Sequence, residues 1–395
     1  IVACLVGSEM CIRDSLSRKA CARVEEPMSE EVVVVSTLGE GDRQVGRLTL
    51  NVPRILNSLD AEMIEIMLGK LLEWAEDDSI AAVYIDGEGE KAFCAGGDVH
   101  ELRRSSIENP GGPCTYAENF FAREYQMNYV LFTYPKPVIC WGHGVVMGGG
   151  MGVMAGCSHR VVSERTRIGM PEITIALFPD VGGSYFLNRT PGMIGRFLSL
   201  TSAHINAADA LFANLGDVFL AHEQRHEVMA ALAVADWTDD PQANTAIVDA
   251  ILGMTPAAEL PAGVVEPLMP EIDALMAGDD LVAISDRLLA YDGDNAWLQK
   301  ARDGFAHGSK LAAAWIFRQL NDSIDYSLKE VFDTELRLGA NIMRHPEFAE
   351  GVRALLVDKD RQPKWQFDAV RDVPADLLES FFHEPEGSPS MDYPW

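Results

Sequence analysis

Residues 137–152 read PVICWGHGVVMGGGMG, a short apolar run closed by a His-Gly pair and then by three consecutive glycines. The run 137–141 suits a buried strand, and the glycines lead into a helical run near Met151. Glycine at a strand end lets a backbone N–H approach a ligand oxygen. A helix start adds unpaired N–H groups and about half a positive charge, which favour a developing oxyanion. A second segment has the same form: residues 80–85 (IAAVYI) suit a buried strand, and Lys91-Ala-Phe-Cys-Ala-Gly-Gly-Asp98 follows. Two such donors together make an oxyanion hole, although either glycine cluster alone also reads as a tight turn.

Outward from these segments the pattern repeats. Residues 32–36 and 46–50 read as strands of an opening hairpin or meander. Ser58 or Asp60 then caps a helix whose apolar residues Met63, Ile64, Met67, Leu68, Leu71, Leu72 and Ala75 recur at three and four. A helix is expected over 117–133 and a strand over 159–163. Strand, helix, strand in this order implies crossover connections and a mainly parallel α/β architecture. After about residue 220 the β-rich runs stop and Ala, Leu, Asp and Glu dominate as far as 294, which predicts helices. Breaks at 255–270 and 278–280 predict a loosely packed helical appendage. Further helices are expected at 310–320 and 327–343, before a Pro-rich tail from 384.

Composition narrows the function classes. The chain has 395 residues, 48% of them apolar, enough for one large core or two ordinary ones. Its 60 acidic against 32 basic side chains give a net charge of −28, which repels phosphate backbones and anionic lipid heads. Neither nucleic-acid nor membrane binding is expected, and no apolar stretch reaches the ~18 residues of a spanning helix. Seven cysteines without CxxC spacing support neither a disulfide framework nor a zinc site, and they fit a reducing cytoplasm. The run 1–15 (IVACLVGSEMCIRDS) resembles a translated sequencing-library adaptor, so 1–27 is expected to be a non-native leader and Met28 the start. Residues 222–226 (HEQRH) match the H-E-x-x-H zinc pattern, but no suitable third ligand follows. Residues 182–186 (GGSYF) lack the last glycine of a serine-hydrolase elbow.

The glycine clusters, together with Pro135-Lys-Pro-Val138, Arg167-Ile-Gly-Met-Pro-Glu172 and Phe178-Pro-Asp-Val-Gly-Gly183, resemble the crotonase superfamily. The resemblance runs from Val45 to about residue 220. It implies a crotonase-like α/β fold of repeated ββα units with mainly parallel sheets, spanning 28–220 as an acyl-CoA-binding core, and a helical C-terminal region, 221–395. It also implies that the N–H groups of Gly97 and Gly149 hold a thioester oxygen, with Gly96 and Gly148 beside them at the substrate. Enoyl-CoA hydratases of this superfamily carry a glutamate where Gly152 stands here. Glu172, eight residues before Asp180, together with Gly152, is similar to the 3-hydroxyisobutyryl-CoA hydrolase subgroup. Residues 345–360 (HPEFAEGVRALLVDKD) resemble that subgroup's tail.

The implied reaction is hydrolysis of 3-hydroxyisobutyryl-CoA to 3-hydroxyisobutyrate and CoA, a step of valine catabolism. Glu172 would serve as nucleophile or general base. Asp180 would hold the substrate 3-hydroxyl or assist proton transfer, and Glu124 would bind substrate. Read singly, these three are a solvated acid at a strand-loop junction, a turn residue, and part of an exposed helical face over 123–125. Arg54, Lys91 and Arg103 are candidates for the CoA phosphates. No metal or redox cofactor is implied, CoA being part of the small-molecule substrate. A homo-oligomer is compatible with the resemblance. Two rivals stay open: an enoyl-CoA hydratase or isomerase, which a glutamate placed at 152 is expected to restore, and a crotonase-fold binding protein without turnover.

Overall fold

Asp60 starts the first long helix, its carboxyl accepting from the Met63 N–H at 2.8 Å, and the apolar side of Ala61–Glu76 is buried at Met63, Ile64, Met67, Leu68 and Leu71. That helix lies between strands of a computed structural model that describes residues 31–395; the expected leader, 1–27, falls outside the described residues. The opening strands Val33–Leu38 (β1) and Gln44–Leu50 (β2) pair antiparallel, Val33 opposite Leu50. Ile80–Gly87 (β3) continues the sheet in parallel and is buried at every position, as a strand covered on both faces must be.

The chain then shuttles between two sheets. Ala92–Cys94 (β4) starts the second sheet, Val138–Gly142 (β5) returns to the first, and Val145–Met147 (β6) goes back to the second. His159–Val162 (β7) and Arg167–Gly169 (β8) repeat the step. His204–Ile205 (β9) and Val218–Phe219 (β10) finish the set. The large sheet has the order β1-β2-β3-β5-β7-β10 and the small one β4-β6-β8-β9, parallel except at β1/β2 and β8/β9. Each repeat thus places one strand in each sheet. Helices Val99–Glu108 and Thr115–Phe132 follow the first pair and Gly149–Gly156 the second, whereas the 3-10 turn Glu172–Ile175 follows the third.

β4, β6 and β8 are adjacent and parallel, so the segments leaving their C-terminal ends converge. These segments carry Gly96 and Gly97, Gly148 and Gly149, and Glu172.

Helices make up most of the chain beyond Phe219, and their expected loose packing is corrected. Val265, Ile272, Met276, Ile284 and Leu288 are buried in the same core as Leu48, Ile85 and Val146. Helix Leu328–Met343 begins with a Ser327/Glu330 capping box and lies against Thr115–Phe132. Phe332 meets the rings of Tyr125, Tyr129 and Phe132 at centroid distances of 6.0, 6.3 and 6.4 Å. Arg344, just past that helix, forks onto Glu118 with two 2.8 Å bonds.

Candidate active site

Leu59 brackets the first glycine loop. Its N–H donates to Gly96 O and its carbonyl accepts from the Asp98 N–H, both at 2.8 Å, which leaves the Gly97 N–H outside the ladder. Gly96 has φ of +113° and Gly148 φ of +49°, conformations that favour glycine. The two loops lie nearly in contact: a Cβ on Gly149 would stand 3.4 Å from Gly97 N and 2.4 Å from Glu124 Oε1. A Cβ on Gly150 would stand 2.4 Å from Cys94 O, so that glycine is required by the close approach of helix and loop. Cys94 is wholly buried, and burial pushes its thiol up to about 12, which leaves it no nucleophile at neutral pH.

These loops border a cavity of about 500 Å³ that gathers Gly96, Gly97, Gly148, Gly149, Glu124, Glu172 and Asp180. Phe120, Phe121 and Leu177 add apolar wall, and Leu355 and Leu356 close it from the C-terminal region. Glu124, Glu172 and Asp180 are 2%, 4% and 4% exposed. Glu124 Oε1 and Glu172 Oε2 have no hydrogen-bond partner, whereas Asp180 Oδ2 accepts from the Tyr125 hydroxyl at 2.7 Å. Burial raises Glu172 and Glu124 well above the ordinary carboxyl range, and the negative Asp180 adds to it. Burial lifts Asp180 to about 6 against the pull of the Tyr125 donor. Two amide donors, an apolar chamber and carboxyls poised to exchange protons can polarise a carbonyl and deliver water or an oxygen nucleophile to it.

The exposed-face reading of 123–125 is corrected by this geometry. Arg123 reaches outward to Glu65, with bonds of 2.6 Å, while Glu124 and Tyr125 turn inward. Tyr125 had no sequence signal beyond its place beside Glu124. The Gly152 expectation changes as well. A Cβ there would stand 2.4 Å from Val181 Cβ, so Val181 already fills the room a glutamate would need. Arg54 and Lys91 are exposed on the rim of a second cavity of about 330 Å³, which shares Leu56 with the first and also includes Glu88 and Glu90. Arg103 lines neither cavity: its Nε donates to Ala349 O at 3.0 Å and ties its helix to Pro346–Val352. His222 and His226 fall on successive helical segments, and no group of three or more His, Cys, Asp or Glu among the described residues is arranged to hold a metal. No helix among them is long and apolar enough to cross a membrane.

A protein-family profile described as enoyl-CoA hydratase/isomerase matches residues 45–382. The chain is 34% identical over 337 residues to "3-hydroxyisobutyryl-CoA hydrolase, mitochondrial" of Xenopus tropicalis, covering 85% of this chain and 86% of that protein. It is 31% identical over 367 residues to "Small ribosomal subunit protein mS47" of Neurospora crassa, covering 85% and 69%. Its fold matches the crystal structure of an enoyl-CoA hydratase from Rhodobacter sphaeroides 2.4.1 with a TM-score of 0.79 and 32% identity, covering 92% of this chain and 100% of that one. The cytoplasmic expectation is overturned here, since relatives from Xenopus tropicalis, Xenopus laevis and Bos taurus are all named mitochondrial. Unpaired thiols indicate a reducing compartment and do not distinguish one from another.

Proposed function

The chain belongs to the enoyl-CoA hydratase/isomerase family, and on that premise we propose that it hydrolyses the thioester of a short 3-hydroxyacyl-CoA, 3-hydroxyisobutyryl-CoA being the substrate in its relatives' names. The observation that carries this reading is the meeting of Glu172, Asp180 and Glu124 with the Gly97 and Gly149 loops in one chamber, while Val181 occupies the space beside Gly152.

The thioester oxygen lies against the Gly97 and Gly149 N–H groups, which stabilise negative charge as the carbonyl carbon becomes tetrahedral. One such donor contributes ~3 to 4 kcal/mol of barrier lowering. Glu172 in its ionised form either takes a proton from attacking water or adds to the carbonyl carbon itself, and either route gives a tetrahedral adduct. The adduct collapses, the C–S bond breaks and CoA leaves as the thiolate, which takes up a proton; where Glu172 has added, a mixed anhydride remains and water then opens it. Asp180, held by Tyr125, takes the 3-hydroxyl or relays the proton, and Glu124 completes the acyl pocket. In this reading Arg54 and Lys91, exposed on the rim of the adjoining cavity, take the CoA phosphates. The reaction so written uses amides, carboxyls and water, with no metal or redox cofactor.

The hydratase reading needs a second carboxylate at 152, and packing by Val181 speaks against it. The binding-protein reading has a counterpart in the mS47 relative, which is named as a ribosomal subunit protein and not as an enzyme. Three buried acids without a cation among the described residues favour turnover instead. Incubation with 3-hydroxyisobutyryl-CoA is expected to release free thiol, and incubation with crotonyl-CoA to leave the enoyl absorbance nearly unchanged. Rapid loss of the enoyl band with no thiol would establish the hydratase, and silence on both substrates the binding protein.

A further inference from the structure

Asp180 opens a loop with an unusual backbone. Val181 has φ of +56°, a region β-branched residues seldom occupy, and it is fully buried. Gly182 follows with φ of +83°. The short helix Gly183–Leu187 begins here, and the N–H groups around its start need acceptors that the helix cannot supply. One side chain takes two of them. Glu335 Oε2 accepts from the Gly182 N–H at 2.8 Å and Oε1 from the Ser184 N–H at 2.9 Å. Glu335 sits on Leu328–Met343, 0% exposed, and no Lys or Arg is paired with it among the described residues. A buried acid without a counter-charge is costly where a neutral residue would pack as well. Its two oxygens nevertheless match the two amides.

We propose that Glu335 is a positioning residue for Asp180: by gripping the Gly182 and Ser184 amides it holds the 181–184 turn in the left-handed conformation that presents Asp180 to the cavity. Tyr125 fixes the carboxyl from one side through its hydroxyl, and Glu335 fixes the backbone from the other. Phe332 lies one turn before Glu335 on the same helix, in contact with the Tyr125 ring. The two constraints therefore belong to one helix pair. The inference rests on the reading that Asp180 takes part in thioester cleavage, and its test separates the two.

Glu335→Gln keeps the volume and one acceptor but turns an NH₂ group towards one of the two amides. It is expected to lower kcat about tenfold per folded enzyme, the effect of losing one buried hydrogen bond, while KM stays within about twofold. Placed on Asp180→Asn, the same substitution should cost less than about twofold, because the group it positions is already disabled. A purely structural Glu335 would instead lower Tm and leave kcat per folded enzyme unchanged, or lower kcat by one factor in both backgrounds. Either result overturns the inference. Wild-type turnover in Asp180→Asn overturns the reading of Asp180 itself, and the inference with it. Should Glu335→Gln not fold, Glu335→Asp, which keeps the carboxyl one methylene short, supplies the same two-background comparison with a smaller loss expected.

Discussion

Glu118 and Glu124 lie on one helix less than two turns apart, 0% and 2% exposed, and their surroundings are opposite. At the helix start, Glu118 takes two bonds from Arg344 and one from the Cys114 N–H, all at 2.8 Å. Further along, Glu124 faces Asp180 across the cavity with one oxygen unpartnered and no cation to offset it. Burial is the same and pairing is not. A paired buried acid joins two elements, here the helix Thr115–Phe132 and the segment after Leu328–Met343. An unpaired one keeps its proton to higher pH and is free to hydrogen-bond a guest. On this helix the acid that faces the cavity is therefore the electrostatically unsatisfied one.

Substitutions of paired and of unpaired buried acids can break this contrast. The largest effect is expected from Glu118→Ala, which takes the carboxylate partner from the half-buried Arg344 and leaves it only the Glu386 carbonyl. Urea unfolding should show a loss of ~3 to 5 kcal/mol, while kcat per folded enzyme stays unchanged. Glu172→Gln should do the reverse, lowering kcat by ~10² or more with Tm no lower than wild type. A Tm loss with near-normal turnover would erase the distinction.

The smallest effect concerns pH. Folded Asp180 holds its proton to about 6 against 3.8 for the ordinary group, and Glu335 to about 8 against 4.5, in both cases because of burial. The folded state thus binds more protons than the unfolded chain between those limits, and the contribution of these acids to stability falls as pH rises through them. The slope is at most about 1.4 kcal/mol per pH unit for each proton. Glu124→Gln removes one such group, so its Tm should fall less than wild type between pH 5 and 8. Parallel melting curves for the two proteins would show that Glu124 is not held protonated.

The parts of the site carried by local sequence could be read before any fold was known. The glycine clusters announce their turns, and Glu172 and Asp180 stand in a recognisable frame. The long strands and the helix begun by Asp60 were plain from periodicity. β4, β6 and β8, the strands that bring the site together, have three residues each, too few for a period of two to show. Arg103 looked like a phosphate ligand because basic side chains near a glycine loop often are, yet its guanidinium is claimed by Ala349, 246 positions away. The room beside Gly152 depends on where Val181 turns back, a tertiary fact with no local signature. Tyr125 and Glu335 act through contacts 55 and 153 positions distant along the chain. Helices beyond residue 220 were foreseen, whereas their burial in the common core depended on partners that composition does not name.

The bond from the Gly182 N–H to Glu335 spans 153 positions. Chains are synthesised at ~5–20 residues per second, so roughly 8 to 30 seconds separate the emergence of its two ends. During that interval a nascent chain already carries both glycine loops, Glu124, Glu172 and Asp180. It lacks the carboxyl that sets the turn after Asp180, and it lacks Leu355 and Leu356 to wall the cavity. The reactive acids are thus laid down early and enclosed late. Until residue 356 has emerged, neither the lock on that turn nor the last wall of the cavity is available to form.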